Sequence, residues 1–256
     1  MKEVRPSRAF RSGAPKVSLA RALSKLGYCS RTRAMELIGT GRVRVNGRGE
    51  RDGARRVDPA KDRIEVEGWI IPPSEKVYLM LNKPRGLVTT AADEKGRATV
   101  YECLGDARFP WLAPVGRLDK ASEGLLLFTN DSRWAAKIMA PETHLDKTYH
   151  VQVDRMVDGG FLRRMTEGVE AEEGNFLQTR KASLLRRGKK NCWLEVVLQE
   201  GKNRHIRRLL SALGVNVLRL VRVAIGPLQL GALGKGEVRP LTGEEKECLS
   251  ITKHKI

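Results

Sequence analysis

The feature that most constrains this chain is the break at Pro72-Pro73-Ser74, where one hydrophobic pattern stops and another begins. Upstream, Leu19, Leu23 and Leu26 recur at helical spacing until Gly27 interrupts them. Ser30 stands where it caps a second helix that puts Ala34, Leu37 and Ile38 on one face, before Gly39 and Gly41 end it. Val43-Arg44-Val45 and Ile64-Glu65-Val66 then alternate around Asn46-Gly47, a pair suited to a type I′ hairpin turn. Two short helices and a small sheet within about fifty residues make a marginal core by themselves. This stretch is therefore expected to be a module attached to something larger.

Downstream, apolar runs of strand length dominate. Val77–Leu81, Leu87–Thr90, Leu125–Phe128, Tyr149–Val153, Trp193–Leu198 and Val217–Val223 all read as strands. Ser132 is placed to cap a helix with Trp134, Ala135, Ile138 and Met139 at spacing four. Asn203 is placed to cap another that buries Ile206, Leu209, Leu210 and Leu213, and Thr242 opens a short final one. Many strands and few helices predict an α+β fold, with a small α/β front module and a larger domain on a mixed, largely antiparallel sheet with flanking helices. The divisions expected are a flexible basic arm over 1–15, a module over 16–68, a linker over 69–76 and the larger domain over 77–251.

The 256 residues carry a formal net charge of +18, which points to a polyanionic partner, nucleic acid before others. The first 76 residues hold 18 Lys and Arg against 9 Asp and Glu, so half the excess sits on under a third of the chain. Most of those cations are Arg, whose planar fork binds phosphate through two parallel hydrogen bonds. Cys29, Cys103, Cys192 and Cys248 form no C-x-x-C pair and no zinc spacing, so they read as reduced, buried small side chains. With no apolar run long enough for a signal peptide or a membrane span, the protein is expected to be cytoplasmic and free of membrane contact. No coiled-coil seam appears, and a monomer is expected.

Four segments are candidates for chemistry. In Gly116-Arg117-Leu118-Asp119-Lys120 a carboxylate stands in a turn between apolar strands, among cations that would keep it ionised as a nucleophile requires; an Asp making local hydrogen bonds in a surface turn gives the same pattern. Glu200-Gly201-Lys202-Asn203-Arg204-His205-Ile206-Arg207-Arg208 opens a helix with four Lys and Arg, against the macrodipole, as if bound anions compensate; a solvated basic face is the alternative. Lys147-Thr148-Tyr149-His150 puts an aromatic ring at a strand head, where core packing is its ordinary role. Leu81-Asn82-Lys83-Pro84-Arg85-Gly86 is a basic turn between strands, or an ordinary loop.

Taken together, these segments resemble the pseudouridine synthase superfamily, and within it the RsuA-type ribosomal group. The resemblance runs through Leu81–Gly86, Gly116–Asp119 with Gly124-Leu-Leu-Leu-Phe-Thr-Asn-Asp131, Lys147–Tyr149, Glu200–Arg208, and Leu220-Val-Arg222 through Ile225-Gly226 to Leu241-Thr242, and spans nearly all of 77–250. It departs from the group's usual pattern at Lys120-Ala121-Ser122-Glu123. Residues 17–68 resemble an S4 RNA-binding domain, with Arg48-Gly49-Glu50 as a polar departure after its turn.

The resemblance implies an enzyme that isomerises a uridine in RNA, ribosomal RNA foremost, to pseudouridine without metal or cofactor. It implies Asp119 as nucleophile, Tyr149 packed on the target base and as an aid in removing the C5 proton, and Arg207 paired with the aspartate. Lys83, Arg117, Arg204, Arg208 and Arg222 are then expected to contact substrate. In the S4-like module Arg21, Arg31, Arg33, Arg42, Arg44 and Asn46 are expected to contact RNA. A tRNA-directed synthase, or a non-catalytic RNA-binding factor for ribosome assembly, remains open at this point.

Overall fold

The computed structural model describes residues 16–105 and 109–250; the basic arm over 1–15 and residue 251 lie outside them. The chain divides into two compact units, Met1–Glu75 and Lys76–Ile256.

In the first unit β1 (Val17–Ser18) leads into α1 (Leu19–Lys25) and α2 (Arg31–Gly39). The side chain of Ser30 accepts from the Arg33 amide at 3.1 Å, the expected cap, worth about 1 kcal/mol. Then come β2 (Val43–Val45), β3 (Arg48–Glu50), β4 (Arg56–Val57), β5 (Ile64–Val66) and β6 (Trp69–Ile70). Strands β3-β2-β5-β6 form an antiparallel sheet, and β1 pairs β4. Asn46 and Gly47 both have positive φ (53° and 80°), the type I′ geometry. Trp69 and Ile70, expected in a linker, instead form the sheet's edge strand. Leu19, Leu23, Leu37, Ile38, Val43 and Ile64 are among the residues of one closed core.

The second unit runs β7 (Tyr78–Lys83), β8 (Ala113–Val115), β9 (Glu123–Thr129), α3 (Ser132–Met139), β10 (Lys147–Val153), α4 (Gly159–Glu167), β11 (Val169–Ala171), β12 (Asn175–Leu177), β13 (Lys181–Arg187), β14 (Cys192–Leu198), α5 (His205–Ala212), β15 (Val217–Ile225), β16 (Leu228–Gln229), β17 (Val238–Pro240) and α6 (Gly243–Ser250). A mixed sheet in the order β13-β14-β10-β15-β9-β7-β17 is antiparallel except where β15 meets β9, as expected from the strand-rich pattern. Every residue of β9 is buried, because the sheet is covered on both faces. Leu126 and Phe128 enter a core with α4 and α5; Leu125 and Leu127 enter another with α3 and α6. Alternation along one strand thus feeds two cores.

Three local expectations are corrected. Leu87–Thr90 is not a strand; Val88 makes only an isolated bridge to Thr99. Helix α3 is capped by Asp131, which accepts from the Arg133 and Trp134 amides, and Ser132 is its first residue. Helix α5 is preceded by Arg204 in a left-handed conformation (φ 48°), so Asn203 does not cap it. No helix among the described residues is long and apolar enough to cross a membrane.

Candidate active site

Asp119 lies on the loop 116–122 that feeds β9, and the segment after β7 holds this loop from behind. Lys83 Nζ donates to the carbonyls of Pro84 (3.0 Å), Asp119 (3.2 Å) and Ser122 (2.8 Å). The Gly86 amide donates to Lys120 O at 2.8 Å, and Thr89 bonds both the amide and the carbonyl of Leu118. Arg207 Nη2 donates to Ala121 O at 3.0 Å. The loop backbone is therefore fixed, while the Asp119 side chain stays 37% exposed and free to meet a ligand.

Tyr149 sits in β10, opposite Arg222 of β15 and Val196 of β14. The ladder to β15 is irregular between Thr148 and Tyr149, a local shift of the kind that re-aims side chains next to sites. Asp119, Tyr149, Arg117, Arg204 and Arg222 all line one cavity of about 490 Å³, walled also by Val115, Ile138, Ile206, Leu220 and Ile225. That volume is in the range of small-ligand sites. An apolar, aromatic slot with a carboxylate at one side and cations around it suits a flat, uncharged ring joined to anionic groups.

Several sequence-predicted residues play other parts. Lys83 has no exposed surface and is not in the cavity wall; its ammonium is spent on three loop carbonyls, and burial pulls its pKa down to about 8. Arg207 does not form the expected close pair with Asp119. The cation within ion-pair distance of that carboxylate is Arg204, at 3.9 Å, while Arg207 is committed to Ala121 O. Burial and the Arg204 charge lower the Arg207 pKa, and Asp119 opposes this, so Arg207 feels the carboxylate only through space. Arg208 lines an adjoining cavity of about 290 Å³ with Arg204 and Arg207, and donates to Glu172 O at 3.2 Å.

In the first unit Arg21, Arg31, Arg33, Arg42 and Arg44 are exposed. Arg33 pairs Glu36 and Arg42 pairs Glu67, exposed ion pairs that cost little to exchange for phosphate. Asn46 is instead structural: its amide donates to Asp62 and its oxygen accepts from the Arg63 amide, locking the turn.

Sequence reasoning missed three residues of the site's surroundings. Lys147 lines the cavity, and its pKa is lowered by burial and by Arg222 beside it. His205 lines it too; burial lowers its pKa, and Nε2 lies 2.9 Å from Gln178 O. Glu123, 3% exposed, is held by Arg219 and Lys235, both at 2.9 Å, at the end of the Asp119 loop. All three stood inside recognised motifs, but charge pattern carries no signal of burial. No three His, Cys, Asp or Glu side chains among the described residues converge as a metal site would require.

Comparison with known proteins places the chain in a family. The family pattern for RNA pseudouridylate synthase matches residues 77–212. The chain is 40% identical over 230 residues to an uncharacterized RNA pseudouridine synthase of Aquifex aeolicus, covering 90% of this chain and 92% of that one. It is 37% identical over 233 residues to the ribosomal large subunit pseudouridine synthase B of Bacillus subtilis, covering 90% and 94%. A crystal structure of a pseudouridylate synthase superposes with a TM-score of 0.64 at 30% identity, covering 91% of this chain and 99% of that one. The chain belongs to the RNA pseudouridylate synthase family and is an isomerase acting on uridine in RNA.

Proposed function

We propose that this enzyme converts a uridine of ribosomal RNA to pseudouridine, with Asp119 as nucleophile, Tyr149 as the surface on which the base packs, and the first unit as an S4-type RNA clamp. The observation that carries this reading is the cavity in which the half-exposed Asp119 carboxylate faces the Tyr149 strand within one cationic rim. The N-glycosidic bond of the target breaks, the base turns, and C5 bonds to the same ribose carbon while its proton leaves. Asp119 either attacks that carbon directly or assists base loss through a glycal. Arg204 aims the carboxylate, and Arg207 steadies its loop through Ala121.

Bringing the uridine out of its stack costs a few kcal/mol, and stacking on Tyr149 returns about 1–3 kcal/mol. Phosphate contacts from Arg117, Arg204, Arg208 and the first unit's Arg21, Arg31, Arg33, Arg42 and Arg44 supply the rest, a contribution that weakens with salt. Ribosomal RNA is favoured over tRNA because the Bacillus subtilis relative is named for the large ribosomal subunit. On this reading the enzyme acts as a cytoplasmic monomer. Chemical mapping of pseudouridine in rRNA and tRNA from a strain lacking the gene tests it. Loss of one rRNA site is expected; loss confined to tRNA, or no loss at all, contradicts it.

A further inference from the structure

Arg222 is an unusual side chain for its place. It is 6% exposed, sits in the wall of the Asp119 cavity, and lies opposite Tyr149 in the ladder. Its Nε donates to Leu125 O at 2.7 Å, which fixes the guanidinium plane. Its Nη2 is buried and makes no hydrogen bond among the described residues. A desolvated cation with an unmade hydrogen bond is costly, and that cost persists until an acceptor arrives. Lys147, half-buried in the same wall, adds a second positive charge, and burial and the Arg222 charge pull its pKa down. The other Lys and Arg side chains of the cavity, Arg117, Lys202 and Arg204, are exposed. Arg222 is the buried arginine of a cavity that Tyr149 and Leu220 also line, so an acceptor that satisfies it has to come through that cavity.

We propose that Arg222 is the group that receives the departing base: its unpaired nitrogen donates to an exocyclic carbonyl oxygen of uracil and stabilises the negative charge that the base acquires as its glycosidic bond breaks. This rests on Asp119 marking the reaction centre. When the N1–C1′ bond breaks, its electron pair goes to uracil, whose charge spreads over N1, O2 and O4. C1′ becomes electron-deficient on the side that Asp119 faces. Arg222 keeps its own protons throughout and lends only a charged donor. Once C5 has bonded to C1′, the C5 proton leaves and N1 takes one, so the base is neutral again and the contact relaxes. A preformed donor aimed at developing charge is worth far more in such a dry pocket than in water.

The test compares leaving groups. Arg222→Gln and Arg222→Lys are assayed by single turnover on RNA carrying either uridine or 5-fluorouridine at the target, following loss of the N-linked nucleotide. The fluorine itself disperses charge on the departing base, so it should stand in partly for the missing cation. Arg222→Gln is expected to slow uridine by about 10²-fold, as loss of one such donor does, with RNA affinity nearly unchanged. The deficit on 5-fluorouridine should be several-fold smaller, and Arg222→Lys should recover part of the rate. Equal deficits on both substrates, or a folded Arg222→Gln enzyme at wild-type rate, overturn the proposal. If Arg222→Gln does not fold, the Arg222→Lys comparison decides by the same criterion. Asp119→Asn is run alongside: turnover surviving there refutes the reaction centre itself, whereas an inactive Asp119→Asn with equal Arg222 deficits refutes only the role of Arg222.

Discussion

Lys83, which the sequence marks as a substrate contact, and His205, which it does not single out, are both shaped by burial. Lys83 bridges three carbonyls behind the Asp119 loop, one of which, that of Asp119, also accepts from the Ser122 amide. Lys83→Met leaves them without that donor while removing a desolvated charge, so the loss is expected to be modest, about 2 kcal/mol, or roughly 5 °C in Tm for a unit of this size. Thermal unfolding checks this, and a misplaced Asp119 loop should lower kcat along with it. His205 is buried, with its folded pKa below the ordinary value of 6.5. The unfolded chain therefore binds the proton more readily, and stability present above pH 6.5 is lost as pH falls through the folded pKa. Urea unfolding at pH 7.5 and pH 5.5 should show a smaller acid loss for His205→Gln than for wild type. An identical loss in both would remove His205 as its source.

At the scale of elements, the contact between β9 and β15 matters most, because it sets the Asp119 loop beside the strand that carries Arg222. It is made through Gly124 (φ 102°), where an added Cβ would collide with the Arg222 backbone carbonyl. Gly124→Ala combines that collision with a strained backbone and is expected to cost more than about 3 kcal/mol. The variant should also lose activity out of proportion to any residual unfolding, as a stability curve paired with single-turnover assays would show. The apolar runs that became β7, β9, β10, β14 and β15 were legible in the sequence, since burial on one or both faces leaves a period in the residues. Helix α4 was not, because it opens with Gly159-Gly160, a breaker pattern overridden by the Asp158 cap on the Phe161 amide. Edge strand β13, largely polar and half solvated, leaves no alternation to find. Motif positions gave Asp119, Tyr149, Arg204 and Arg222 in one cavity. They could not give which arginine comes within ion-pair distance of Asp119: Arg204 does, from a left-handed turn, while Arg207 donates to Ala121 O.

For the molecule as a whole, the surplus of +18 and the two separately cored units are what the proposed division between holding RNA and rearranging it requires. A chain of residues 76–256 is expected to keep its cooperative unfolding but to bind rRNA at least tenfold more weakly, with a shallower dependence of log affinity on log salt because fewer phosphates are neutralised. Binding as tight as the intact chain, with an unchanged slope, would take the first unit out of RNA recognition. The most direct test of the central claim is the single-turnover yield of pseudouridine from rRNA with Asp119→Asn, a nearly isosteric change that removes the negative charge. Loss of product with RNA affinity intact is the expected result; pseudouridine formed near the wild-type rate would contradict it.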